Sequence, residues 1–265
     1  MCMILDTPCI NLLNRAISSL ILNTPQIGVA QERAPEFLDR LEGFLARVSN
    51  PGGHRAVTSV LVYNEQIEPS GPGSMIRNEV ELVEQYVTIP DFLGNWSAVL
   101  EQSVEIEECP DEELTDLRGF VPEDIGRHDL SLLLAALRRL SQGDTPAIIV
   151  TDDLKLVNAT NGLAAGHRRV TLNGTDYSTR GLTGQLSLEA FRELHRACAI
   201  DNQLWARLTL SYKEHHNGRV GPSAQEHVRR AVQFLGQYQY DCAEKEKLRI
   251  TRELEQYFLG DEHAQ

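Results

Sequence analysis

The chain has 265 residues, 42% of them hydrophobic, and a formal net charge of −13. Such a length and apolar content suit one large domain, or a domain with an appendage, built around a real core. No apolar run is long enough to predict a membrane-spanning helix, and the acidity removes the general phosphate attraction that drives non-specific nucleic-acid binding.

The opening MCMIL reads as a short strand, and Asp6-Thr7-Pro8 as a helix start with Pro at a tolerated position, leading into CINLLNRAISSLIL. That opening has no basic stretch and no small-residue cleavage site, so no signal peptide is expected. Five scattered cysteines (Cys2, Cys9, Cys109, Cys198, Cys242) form no CxxC pair. They predict reduced thiols in a cytoplasmic protein and argue against a zinc site. Residues 35–48 place Phe37, Leu38, Leu41, Phe44, Leu45 and Val48 on one helical face. After a loop at SNPGG, a β-branched strand is expected from Ala56 to about Tyr63, with Glu65 just beyond it.

PSGPGS at 69–74 is a break, and MIRNEVELVEQY after it predicts a helix. From Glu101 to Asp124 ten acids stand against one base, Arg118, which predicts a solvated, partly mobile insertion. Trp96 and Trp205 lie among apolar neighbours and are expected in the core. RHDLSLLLAALRRLSQG, 127–143, has the strongest helical pattern in the chain, with Arg138 and Arg139 balancing the dipole and Gly143 as its stop. Next, PAIIV predicts a buried strand that ends in Thr151-Asp152-Asp153. Residues 158–187 read as loop with one short strand candidate, RRVTL, and Leu188 to Phe258 as helical. Strands alternating with helices predict an α/β fold on a mainly parallel sheet over residues 1–172, followed by a C-terminal helical extension.

In such sheets functional residues gather outside the carboxyl ends of the strands. Asp6, Glu65 and Asp153 each follow a predicted strand, and Asp129 begins the helix that leads into the last one. Each alone has a plain explanation as a cap or turn residue. Together they repel one another, raise one another's pKa and call for a cation. Carboxylate oxygen suits magnesium or manganese, whose usual work at such clusters is phosphodiester hydrolysis.

At these residues the sequence resembles the PIN-domain family, a metal-dependent nuclease fold that includes bacterial toxin ribonucleases. ILDTPCINLL resembles its opening strand and first Asp. SVLVYNE, with Ser59 six before Glu65, is similar to its second motif; HDLSLLLAA resembles its third-acid helix; IIVTDDLKL resembles its Thr-x-Asp. The resemblance implies a PIN-like α/β/α sandwich over 1–172; the chain departs from the family pattern in an acidic insertion at about 69–126 and in a linker and helical extension over 173–265. It implies a metal-dependent endonuclease, RNA favoured over DNA, acting by metal-activated water. Catalytic Asp6, Glu65, Asp129 and Asp153 would hold Mg2+ or Mn2+, with Thr151 orienting a carboxylate or water. Asp152 lies next to them, either supporting a metal ligand or standing in for one. Glu68, Glu79 and Glu81 stay open as alternatives to Glu65.

A nucleic-acid substrate needs a basic rim, for which Arg127, His128, Lys155, Arg168 and Arg169 are the candidates. Toxin, RNA-processing and defence settings all stay open, as do an antitoxin or other protein partner and a homodimer; no membrane partner is expected. The rival reading is a PIN-like binding or scaffold subunit without catalysis. A haloacid-dehalogenase-type phosphatase is set aside because position 8, where a second Asp is needed, is Pro8.

Overall fold

In the computed structural model, residues 2–22, 34–49, 55–67, 92–197, 200–217 and 229 are described. The opening apolar run is β1 (Cys2–Leu5), and α1 (Thr7–Leu22) starts one residue after it. The amphipathic stretch forms α2 (Ala34–Ser49), burying Leu41, Phe44 and Leu45. β2 (Arg55–Ser59) then runs directly into α3 (Val60–Ile67). Beyond the next undescribed segment come α4 (Phe92–Ser103), β3 (Glu105–Glu107) and α5 (Asp111–Arg118). α6 (Arg127–Ser141) delivers the chain to β4 (Ala147–Thr151), and α7 (Leu154–Gly166) leaves it. β5 (Arg169–Leu172) and β6 (Thr175–Ser178) form an antiparallel hairpin. β7 (Leu182–Leu186), α8 (Ser187–Arg196) and α9 (Asn202–Asn217) follow.

The five longer-range strands make one parallel sheet in the order β3-β2-β1-β4-β7. Alternation along its strands splits the core in two. Met3, Leu5, Ile148 and Val150 face one apolar cluster with residues of α1, α2, α4, α8 and α9. Cys2, Ile4, Ala147 and Ile149 face the other, with residues of α5, α6 and α7 and of the hairpin. Near-continuous apolar strands are what burial on both faces demands. Leu132, Leu133, Leu134 and Leu137 of α6 are all fully buried, because the helix is enclosed by the sheet on one side and by α5 and β6 on the other. Trp96 and Trp205 are core residues, as expected. On β7, a Cβ at Gly184 would stand 3.0 Å from the Val157 backbone, so glycine is what lets α7 lie against this strand.

Three expectations are corrected. The second strand ends at Ser59, not near Tyr63, and Glu65 lies on a helix. The Ser59 hydroxyl accepts the N–H of Val62 at 3.2 Å, capping α3, whose buried Val62 and Gln66 sit one turn apart. Most acids of the stretch from Glu101 to Asp124 are exposed, but it is part of the fold rather than an insertion: it supplies the end of α4, the edge strand β3 and α5. Several of its acids are partnered. Arg139, buried, reaches Glu105 at 2.5 Å and Glu107 at 2.6 Å, while Arg138 grips both oxygens of Glu113. Third, residues 158–187 are ordered structure rather than loop. Asn173-Gly174, both at positive φ, turn the β5–β6 hairpin.

Residue 172 falls at the end of β5, and β7 beyond it supplies an outer strand of the five-stranded sheet. The expected helix at 75–86, the alternatives Glu68, Glu79 and Glu81, and the helical stretch after 217 lie outside the described residues. No helix among those described is long and apolar enough to cross a membrane.

Candidate functional site

Four segments end at the carboxyl edge of the sheet. β1 stops at Leu5, and Asp6 turns the chain into α1: its carbonyl accepts the N–H of Ile10 and its Oδ1 the N–H of Thr7 at 2.7 Å. The other oxygen, Oδ2, accepts the hydroxyl of Thr151 from the end of β4 at 2.5 Å. Thr151 also takes the N–H of Asp153 on its hydroxyl, so one side chain ties the ends of β1 and β4 together. Thr7 donates its hydroxyl to Glu65 Oε2 at 2.9 Å, drawing α3 towards the same edge. Asp129, at the third position of α6, accepts the Gly126 N–H at 3.0 Å, and Asp153 caps α7 through the Lys155 N–H at 2.7 Å. The buried hydroxyls of Ser59 and Ser131 lie 2.6 Å apart, joining the starts of α3 and α6.

These carboxylates feel one another. Asp6 is buried, and burial pushes its pKa up to about 7, with the charges of Asp129 and Asp152 adding to the rise against the hydrogen bonds from Thr151 and Thr7. Asp129 is also raised, first by burial and further by Asp153 and Glu65, while the Gly126 N–H and His128 oppose the shift. Among the described residues, none of Asp6, Glu65, Asp129 and Asp153 is in an ion pair. Such a set is electrostatically unfavourable without a cation.

The donor chemistry fits a hard divalent ion, since every candidate ligand atom is a carboxylate oxygen. The arrangement is a separate matter. Among the described residues, no group of three or more His, Cys, Asp and Glu side chains is arranged to hold a metal ion. Each acid accepts a hydrogen bond from a hydroxyl or a backbone N–H, Asp6 through both oxygens and Glu65, Asp129 and Asp153 through one. Asp152 points elsewhere. It is buried beside Cys9 and His216, with Oδ2 3.8 Å from His216 Nε2, and its Oδ1 has no hydrogen-bond partner among the described residues. Burial, reinforced by Asp152 and Asp6, pushes the Cys9 thiol well above its ordinary range, so Cys9 stays a protonated core thiol.

The expected basic rim divides. Arg127 and Lys155 flank the acids and are exposed; Arg127 pairs with Asp111, and Lys155 with Asp124 at 3.1 Å. The Asp124 carboxylate raises the Lys155 pKa, with Asp153 and Asp129 contributing. His128 is exposed beside Asp129, and its carbonyl accepts the Ser131 hydroxyl at 2.6 Å. Arg168 and Arg169 are not part of this rim. α7 carries the chain down the length of the sheet, roughly 20 Å at 1.5 Å per residue. The Arg168 carbonyl then accepts the N–H of Thr179, next to the starts of β4 and β7. Thr7 and Gly126 were not foreseen as site residues, although Thr7 sits in the quoted Asp6-Thr7-Pro8 and Gly126 three positions before Asp129, at capping spacing.

The chain matches no protein-family model, no curated protein and no solved structure in sequence or fold comparison.

Proposed function

We propose that this chain is a PIN-type nuclease, hydrolysing phosphodiester bonds with the help of a divalent metal and favouring RNA over DNA. The observation that carries the reading is the convergence of Asp6, Glu65, Asp129 and Asp153 at one sheet edge, mutually repelling and without a cationic partner among the described residues. Asp6, Glu65, Asp129 and Asp153 would hold Mg2+ or Mn2+, which when bound lowers the pKa of a water and stabilises charge on the transferring phosphate. Thr151 fixes one oxygen of Asp6 and Thr7 one oxygen of Glu65, so the two hydroxyls set how the acids face the substrate. The preference for RNA rests on the family resemblance alone. A cytoplasmic setting and a protein partner such as an antitoxin belong to the same reading.

A non-catalytic binding or scaffold subunit is the second reading, favoured by the absence, among the described residues, of a group arranged to hold a metal. End-labelled RNA incubated with the protein separates the two. The nuclease reading expects cleavage with magnesium or manganese, loss of cleavage with EDTA, and no cleavage by Asp6→Asn/Asp153→Asn under any condition. Intact RNA with both metals, or equal cleavage by the double variant, overturns it in favour of the scaffold.

A further inference from the structure

Arg127 stands two residues before Asp129 and Lys155 two after Asp153, and each carries a carboxylate from the acidic segment. These carboxylates are held on ordered backbone. Asp111 opens α5, and the turn that presents Asp124 is pinned by Arg118, whose guanidinium donates to the carbonyls of Glu123 at 3.3 Å and of Ile125. The turn ends at Gly126, whose N–H is bound by Asp129 itself. Side-chain exposure of 58–73% across the two pairs makes them weak and easily exchanged in water. Both cations therefore sit at the edge of the carboxylate site with an acidic group already on them.

We infer that Arg127 and Lys155 are a two-cation phosphate clamp beside the carboxylates, and that Asp111 and Asp124 are its placeholders, displaced when a nucleic-acid backbone arrives. The inference rests on the nuclease reading and adds which side chains take the flanking phosphates and which set the affinity. Guanidinium and ammonium groups that bind carboxylate bind phosphate through the same charge-assisted hydrogen bonds. Exchange of one anion for another also explains how a chain of net charge −13 keeps a basic site without attracting every polyanion. A backbone gains the clamp only by returning both carboxylates to water, so affinity is held down and its salt dependence is blunted.

Anisotropy of a labelled 20-nucleotide RNA, and of DNA of the same sequence, titrated with full-length protein in EDTA tests this. Asp111→Asn/Asp124→Asn is expected to bind RNA about tenfold more tightly than wild type. Its log–log salt slope should steepen by up to about 1.4, two phosphate contacts at about 0.7 each on a single strand. Adding Arg127→Ala/Lys155→Ala to that variant should remove the gain. Glu112→Gln/Glu123→Gln, which neutralises two exposed acids of the same segment outside these pairs, should gain less than about twofold. Equal gain in that control, or none in Asp111→Asn/Asp124→Asn, overturns the clamp. If metal-dependent RNA cleavage persists, the nuclease reading stands without it; if wild type neither binds nor cleaves either strand, both fall. A gain on DNA equal to that on RNA supports the clamp and assigns RNA preference to another part of the molecule.

Discussion

Acids are handled in opposite ways at the two ends of α6. At its C-terminal end, buried Arg139 gathers Glu105, Glu107 and, at 3.7 Å, Asp144, while Arg138 grips Glu113. There the carboxylates hold the edge strand β3 and α5 against the helix, and each has a cation. At its N-terminal end, Asp129 lies with Asp6, Glu65 and Asp153, which are hydrogen-bonded to hydroxyls and backbone N–H groups and form no ion pair among the described residues. Acids that serve the fold are neutralised within it. Those at the sheet edge are left to repel one another.

The largest effect that would break this contrast is at the neutralised end. Arg139→Ala leaves Glu107 without its cation and Glu105 and Asp144 with Arg55 alone, at 3.6 and 3.9 Å, and is expected to cost about 2–4 kcal/mol of stability, read by urea denaturation; a change under about 0.5 kcal/mol would erase the distinction. At the other end the sign reverses. Asp6→Asn removes a buried, repelled charge, so without metal at pH 8 it should raise stability by about 1 kcal/mol, while lowering RNA cleavage by at least about 100-fold.

The pH dependence sharpens the same point. The Asp6 pKa is raised in the folded protein from 3.8 to about 7, so the folded state holds its proton over a range where the unfolded chain has lost it. Below about pH 4 the group makes no difference; stability then falls as pH rises towards about 7 and the full penalty applies above it. The metal-free melting temperature of wild type should therefore drop between pH 5 and pH 8 by a few degrees more than that of Asp6→Asn. The smallest effect is at Thr7. Thr7→Ala loses one part-buried hydroxyl contact to Glu65, with a stability change within about 1 kcal/mol. It should still slow cleavage several-fold, chiefly in kcat, if Glu65 is one of the working acids.

Much of the frame was legible in residues. Apolar CMIL and AIIVT, the leucine-rich helix between them and the acids at their tips all lie where periodicity and capping placed them. The misreadings share a physical cause. VLVY, 60–63, continues a β-branched run and reads as strand, yet the Ser59 hydroxyl caps residues 60–67 into a helix and that choice depends on tertiary packing. The acidic stretch read as an insertion because Arg138 and Arg139, which tie it to the fold, lie about thirty residues away in sequence. Asn173-Gly174 was a legible hairpin signal that composition obscured. At the site, Asp6 and Asp153 were legible from the strand ends and Asp129 from its helix start, whereas Glu65 lies on a helix rather than at a strand end and the hydroxyls that orient the acids emerged only from the fold. Arg168 and Arg169 were misplaced because sequence proximity to β4 ignores the length of α7.

The central claim is that the carboxylate edge is one metal site, and thermal melting with and without manganese tests it most directly, on wild type and Asp6→Asn/Asp153→Asn. The account predicts that manganese raises the wild-type melting temperature by several degrees, and that the double variant melts higher than metal-free wild type and does not respond to the ion. Wild type and variant melting alike, with and without manganese, would contradict it and leave Asp6 and Asp153 as helix caps.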